Sequence, residues 1–153
     1  METCVTDNKP IDLFVSHLFT EDVDYLRVFE FLESVDRFYY INVSKPENVP
    51  ESGGVAAIKD EYIAQIQASE AVIMLAVHYS ANLEMMRYLL DVADANEKPV
   101  IAIRPFGGMS ETDDELVKRA NEHIQWASRD MADAVKRQAR LEETARWDVI
   151  DFP

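Results

Sequence analysis

The chain is 153 residues long, 48% apolar and 29% charged, with four glycines and six prolines. That balance suits one folded domain with a sizeable core and excludes disordered, collagen-like and linker classes. Fifteen Lys and Arg face 29 Asp and Glu, a net charge of −14. Such a surface argues against a duplex nucleic-acid binder or a binder of anionic membranes, since both need a basic face. A local basic pocket for a small phosphate ligand stays compatible with it. Cys4 is the single cysteine and cannot form an internal disulfide, so a reduced, cytoplasmic setting is expected. No run approaches the roughly 18 apolar residues of a membrane helix, and Met1 to Pro10 has no apolar core of a signal peptide.

Residues 11–17 read as a buried strand entered after Pro10. Helical spacing follows over 20–35, with Thr20 as the expected N-cap and Val23, Leu26, Val28 or Phe29, and Leu32 as the apolar stripe. Phe38 to Val43 form a second short strand, and Pro46, Pro50, Gly53 and Gly54 mark a long loop over 45–54. A helix is expected at about 56–69. The run Ala71 to Val77 is the strongest strand, continuous in the manner of a central parallel strand.

A helix over 81–96 comes next, with Ser80 as a candidate N-cap, and then a strand from Pro99 to Arg104. Gly107 and Gly108 open a loop ending near Thr112, which is read as the cap of a helix from 113 to about 121. Ile124 to Ala127 is a short edge-strand candidate, and a last helix spans about 129–145. There is no internal repeat. Strands alternating with helices imply right-handed crossovers and a parallel sheet covered on both faces. The expected fold is therefore α/β and flavodoxin-like, with about five strands. The domain spans 11–146, between an extension at 1–10 and a tail at 147–153. Ligands in such folds sit at the carboxyl ends of the strands, which singles out loops 16–20, 44–56, 78–82 and 104–112.

Common catalytic signatures are absent. There is no Gly-x-Gly-x-x-Gly after the first strand, no phosphate-binding Gly-x-x-x-x-Gly-Lys-Ser/Thr and no Gly-x-Ser-x-Gly elbow. His17, His78 and His123 lie far apart and only one cysteine exists, so no metal spacing emerges.

Five local patterns in register stand out instead. They are Phe14-Val15-Ser16-His17, then Tyr40-Ile41-Asn42-Val43-Ser44-Lys45-Pro46, then Ala76-Val77-His78-Tyr79-Ser80, then Glu97-Lys98-Pro99 through Arg104-Pro105-Phe106-Gly107, and Gln125-Trp126-Ala127-Ser128. Together they resemble the TIR-like domains of bacterial anti-phage Thoeris systems, over about residues 11–137. The resemblance implies a flavodoxin-like fold and NAD as substrate or ligand. It also implies cleavage of the nicotinamide–ribose bond, giving an ADP-ribose-derived messenger that activates an effector protein.

Nicotinamide leaves neutral from a carbon with oxocarbenium character, so the chemistry needs a carboxylate near the ribose rather than an acid for the leaving group. In TIR domains that carboxylate is a glutamate four residues beyond a tryptophan and nine before the lysine of a Gly-Lys-Pro-like turn. Counting back from Lys98 places Leu89 at the glutamate position and Met85 at the tryptophan position. Glu84 is the nearest substitute, although five positions on a helix turn it about 140° away. Glu47 or Glu51 of the long loop are other sources of an acid. Loss of cleavage with retained ligand binding or assembly is the third reading.

The resemblance also implies nucleotide-binding roles for Ser16, Phe19, Asn42, Ser44, Pro46, Tyr79, Ser80 and Arg104. Each has a plainer reading. Ser16 and His17 suit a strand-ending turn, Phe19 a packed loop aromatic, and Asn42, Ser44 and Pro46 ordinary turn chemistry. Arg104 fits a phosphate or a surface acid equally. Trp126 and Trp147 read as packing residues, and Lys136, Arg137 and Arg140 as a small solvated basic face.

The expectation is a cytoplasmic TIR-like protein of prokaryotic antiviral defence that binds an NAD-type nucleotide. If active, it cleaves the N-glycosidic bond and signals to an effector through the product. The rival is a catalytically silent module working by self-association or by partner or nucleotide binding. A nucleoside deoxyribosyltransferase-like enzyme shares the topology and the bond type, and Leu89 weakens it equally. No metal, nucleic acid or membrane enters this reading.

Overall fold

The structure, a computed structural model, describes residues 9–107 and 111–139. Five strands form one sheet: β1 (Ile11–Val15), β2 (Tyr40–Asn42), β3 (Ala71–Leu75), β4 (Val100–Ile103) and β5 (Glu122–Ile124). The six helices of the described residues are α1 (Val23–Glu33), α2 (Gly54–Gln67), α3 (Ala76–Ala81), α4 (Leu83–Ala95), α5 (Asp114–Arg119) and α6 (Ser128–Ala139). The strand order is β2-β1-β3-β4-β5 and every pairing is parallel. This is the flavodoxin-like α/β fold.

The period of two along each strand builds two cores. Leu13, Val15, Ile73, Leu75, Ile101 and Ile103 face α1 and α6, where Tyr25, Val28, Leu32, Met131 and Val135 cover them. Phe14, Val72, Met74, Val100 and Ala102 face the other way, against Tyr62, Ile66, Met86, Leu89, Leu90 and Leu116. Each large side chain so buried stabilises by about 1.5–3 kcal/mol before cavity terms. Both faces of the sheet need this cover, which is why β3 reads as an unbroken apolar run.

Several boundaries differ from the sequence expectation. Asp22, not Thr20, caps α1, its Oδ1 accepting from the Tyr25 N–H at 2.8 Å. The buried stripe of α1 is Tyr25, Val28 and Leu32, and Val23 is 67% exposed. Thr112 does not cap α5; Asp113 does, accepting from the Glu115 N–H. The edge strand is Glu122–Ile124 rather than 124–127.

The largest difference follows β3. The strand stops at Leu75 and the chain turns straight into α3, so Ala76 and Val77 are helical. The Leu75 N–H donates to Ser16 Oγ at 3.0 Å, which ends the ladder on the β1 side. Apolar runs do not distinguish a buried strand from a buried helical turn, so the sequence overextended it. Ser80 lies inside α3; Asn82 closes that helix and caps α4, accepting from the Met85 N–H at 3.3 Å.

Gly53 caps α2 with φ +99°, and a Cβ there would stand 2.7 Å from the Ala57 Cβ. Only glycine satisfies both constraints. Residues 1–8, Gly108, Arg140, the 140–145 end of the expected last helix and the 147–153 tail with Trp147 lie outside the described residues.

Candidate functional site

β1 pairs with β2 on one side and β3 on the other, so the strand order reverses between β1 and β3. In open parallel sheets the ligand crevice lies at the carboxyl ends of such a pair. The segments that meet there are Ser16 to Thr20, the start of α1, and α3.

A continuous polar chain occupies this junction. Ser16 is 0% exposed, and its Oγ accepts from Leu75 N–H. Its own proton is then free to go to His78 Nδ1, 2.8 Å away. The other ring nitrogen, Nε2, donates to Asp22 Oδ2 at 2.7 Å. With Ser16 donating to Nδ1, the Nε2 nitrogen carries the proton that Asp22 accepts. Serine, histidine and aspartate are the residues of a nucleophilic triad, but a fully buried serine offers no path to a substrate carbonyl. The chain instead ties β1, β3, α3 and α1 together. Asp22 is its half-buried end.

A second network binds the loop after β1 to the loop after β2. His17 donates from Nε2 to Gln65 Oε1 at 2.9 Å, and its Nδ1 accepts from the Phe19 N–H at 3.0 Å. Burial lowers the His17 pKa below its ordinary value, against a smaller upward pull from Gln65. Gln65 Oε1 also accepts from Lys45 N–H at 2.8 Å, while its Nε2 donates to Lys45 O and Glu61 Oε2. Tyr62 donates to the His17 carbonyl at 2.6 Å, and burial raises its pKa strongly.

Phe19 follows in the left-handed region at φ 61°, an uncommon conformation for a bulky side chain. Its ring packs 4.7 Å from Tyr62 and 4.9 Å from His17, centroid to centroid.

The third network closes on itself. Asn42 Nδ2 donates to Tyr25 OH at 3.0 Å, Tyr25 OH meets Ser44 Oγ at 2.9 Å, and Ser44 Oγ returns to Asn42 Oδ1. Burial raises the Tyr25 pKa. Pro46 is buried just beyond, and Glu47 is exposed. Glu47 is among the charges acting on both His17 and Tyr25.

The structure therefore brings Ser16, Phe19, Asn42, Ser44 and Pro46 to one end of the sheet around β1 and β2. It does not bring Tyr79 there. Tyr79 is buried in the opposite core and its hydroxyl donates to Glu115 on α5, which also accepts from Arg87 Nε at 2.8 Å. Ser80 is exposed on α3, and Glu84 is exposed in the first turn of α4. Leu89 is 0% exposed, inside the core.

Arg104 lies beyond β4, where it borders a groove of about 440 Å³ with Thr112, Asp114 and His123. Its carbonyl accepts from Trp126 Nε1 at 2.7 Å, and Trp126 packs against the core as a packing residue should. The basic face expected on α6 is partly spent on ion pairs, Arg137 with Glu122 and Lys136 with Asp133.

Sequence reasoning missed His78, Asp22, Gln65 and Tyr25. The available signals were a polar residue directly after an apolar run and an aspartate ahead of a helix. Among the described residues, no group of three His, Cys, Asp or Glu could hold a metal, and no helix is long and apolar enough to cross a membrane.

No protein-family model matches the chain, and no curated protein matches it either. Among solved structures it is similar to a conserved protein from Enterococcus faecalis V583, at 14% identity and a TM-score of 0.53. The match covers 84% of this chain and 99% of that one. Likeness at that identity speaks for the fold alone.

Proposed function

We propose that the chain is a TIR-like protein of prokaryotic antiviral defence that binds an NAD-type nucleotide at the carboxyl edge of β1 and β2 without cleaving it. The observation that carries the silent reading is Leu89. The resemblance puts the ribose-facing carboxylate at that position, and here it is an apolar side chain buried in the core. Glu84 is exposed on the same helix, five residues away, and is not its geometric equivalent. The module then acts by ligand binding and assembly with a partner, in the cytoplasm.

One observation favours a second reading in which the N-glycosidic bond is cleaved to an ADP-ribose-derived signal for an effector. Glu47 is exposed on the long loop after β2, two residues beyond Lys45, whose backbone Gln65 holds. A carboxylate there could stabilise oxocarbenium charge on a ribose lying over the loop.

Chromatographic assay of nicotinamide release from NAD separates the two. The proposal expects no release above the protein-free rate. Release that Glu47→Gln or Glu84→Gln abolishes would replace it with the enzymatic reading and identify the acid.

A further inference from the structure

We propose that the β2 edge is a self-pairing surface, on which two copies of the chain join antiparallel about a two-fold axis through Ile41. The inference is independent of the nucleotide reading.

Among the described residues β2 lies at the end of the sheet and pairs only with β1. The Ile11 N–H donates to Tyr39 O and the Val43 N–H to Leu13 O, which fixes the direction of every group between them. In a parallel ladder alternate residues face the partner, so Ile41 turns its backbone to β1, and Tyr40 and Asn42 turn theirs outward. Their N–H and C=O groups have no partner among the described residues. In antiparallel pairing centred on Ile41, Tyr40 of one copy faces Asn42 of the other. Each such pair exchanges two hydrogen bonds, giving four in all.

The side chains agree with that register. Tyr39, Ile41 and Val43 share one face, and Tyr39 and Ile41 are 49% and 50% exposed. About the same axis Ile41 meets its own copy and Tyr39 meets Val43. The pattern is complementary to itself.

The run Phe38-Tyr39-Tyr40-Ile41-Asn42-Val43 carries no charge, although the chain carries −14. Unguarded apolar edges invite strand pairing, and proteins usually protect them with charged side chains. The β5 edge is protected in that way: Glu122 binds Arg137 and Gln138, and His123 bonds Thr112. The β2 edge has no charged side chain of its own: its carboxylate contact is Glu33 of α1, which accepts from the Tyr40 hydroxyl, and its protection is the shortness of a three-residue strand.

The area sets the strength. A standard interface of about 800 Å² per partner over 20–30 residues implies roughly 30 Å² per residue, so the six residues from Phe38 to Val43 cover about 180 Å² per copy. That is short of what a permanent dimer needs, so pairing is weak and concentration-dependent. The charge on each copy opposes it at low salt, where screening lengths are about 10 Å at 0.1 M against about 3 Å at 1 M.

Sedimentation equilibrium of the full chain, from about 10 μM to about 1 mM at both salts, tests the proposal, a range chosen for the weak end of the affinity scale. Dimer should grow with concentration and with salt. Ile41→Lys should abolish it while leaving the circular dichroism unchanged, and Val55→Lys, an exposed position on α2, should not. In a Cys4→Ser background, Ile41→Cys should form a disulfide dimer under mild oxidation, because non-hydrogen-bonded antiparallel pairs bring Cα atoms to about 4.5 Å. A monomer at every concentration and salt would overturn the inference. So would a dimer indifferent to Ile41→Lys, or equal cross-linking from Val55→Cys.

Discussion

His78 donates its Nε2 proton to the Asp22 carboxylate, 2.7 Å away, across 56 residues of sequence. Asp22 also caps α1, so one carboxylate holds both the first turn of α1 and the ring that anchors α3. Replacing it by alanine removes a cap and the acceptor of a buried imidazole. The expected loss is about 2 kcal/mol, from cap deletions together with a lost charge-assisted hydrogen bond. Urea unfolding measures it. A loss below about 0.5 kcal/mol would show the linkage to be incidental.

Ser16 and Asp22 act through the same imidazole. Ser16→Ala leaves both the Leu75 N–H and His78 Nδ1 without their partner, which costs about 1–3 kcal/mol when the groups stay dry. The Ser16→Ala/Asp22→Ala double variant should lose less than the sum of the single variants, by about 0.5 kcal/mol or more. Strict additivity in a double-mutant cycle would mean that the three residues do not form one network.

The depressed pKa of His17 has a definite sign. The unfolded chain takes up a proton near pH 6.5, and the folded chain resists it because the ring is buried. Stability is therefore unaffected by this group above about pH 7 and falls as the pH drops below about 6.5, levelling off below the folded pKa. Glu122, held low chiefly by Arg137, acts in a lower window: its contribution is present above its unfolded value and lost as the pH falls through its folded one. Urea midpoints between pH 7.5 and pH 5 should slope downward. In His17→Gln that slope should flatten, while the Glu122 loss, which sets in only below pH 4.5, should remain when the series is carried to lower pH.

Leu89 belongs to the core, so its truncation is a cavity mutation. Leu89→Ala should cost about 2–5 kcal/mol. Leu89→Glu buries a carboxylate with no partner and should unfold the chain rather than restore cleavage. A folded, NAD-cleaving Leu89→Glu variant would show that the helix rotates to expose this position.

The fold was readable because strands and helices alternate and because Ala71 to Leu75 is apolar at every position. Both are direct signatures of a covered parallel sheet. The end of β3 was not readable. Apolarity continues through Ala76 and Val77, while the hydrogen bond that stops the strand comes from Ser16, far away in sequence. The site was legible only in part, for the same reason. Asn42 and Ser44 carry local turn chemistry that sequence reveals. Gln65 and Tyr25 matter through partners 20 and 19 residues distant, and nothing in their own neighbourhoods marks them. Tyr79 had the right neighbours in sequence, but the early turn into α3 sends its ring into the other core.

The most direct test of the account is a calorimetric titration of the purified chain with NAD, with the same samples then analysed for free nicotinamide. Saturable binding with NAD recovered intact is the predicted result, with a matching rise in melting temperature by mass action. Absence of binding at millimolar NAD, or nicotinamide that accumulates in proportion to protein, would contradict it.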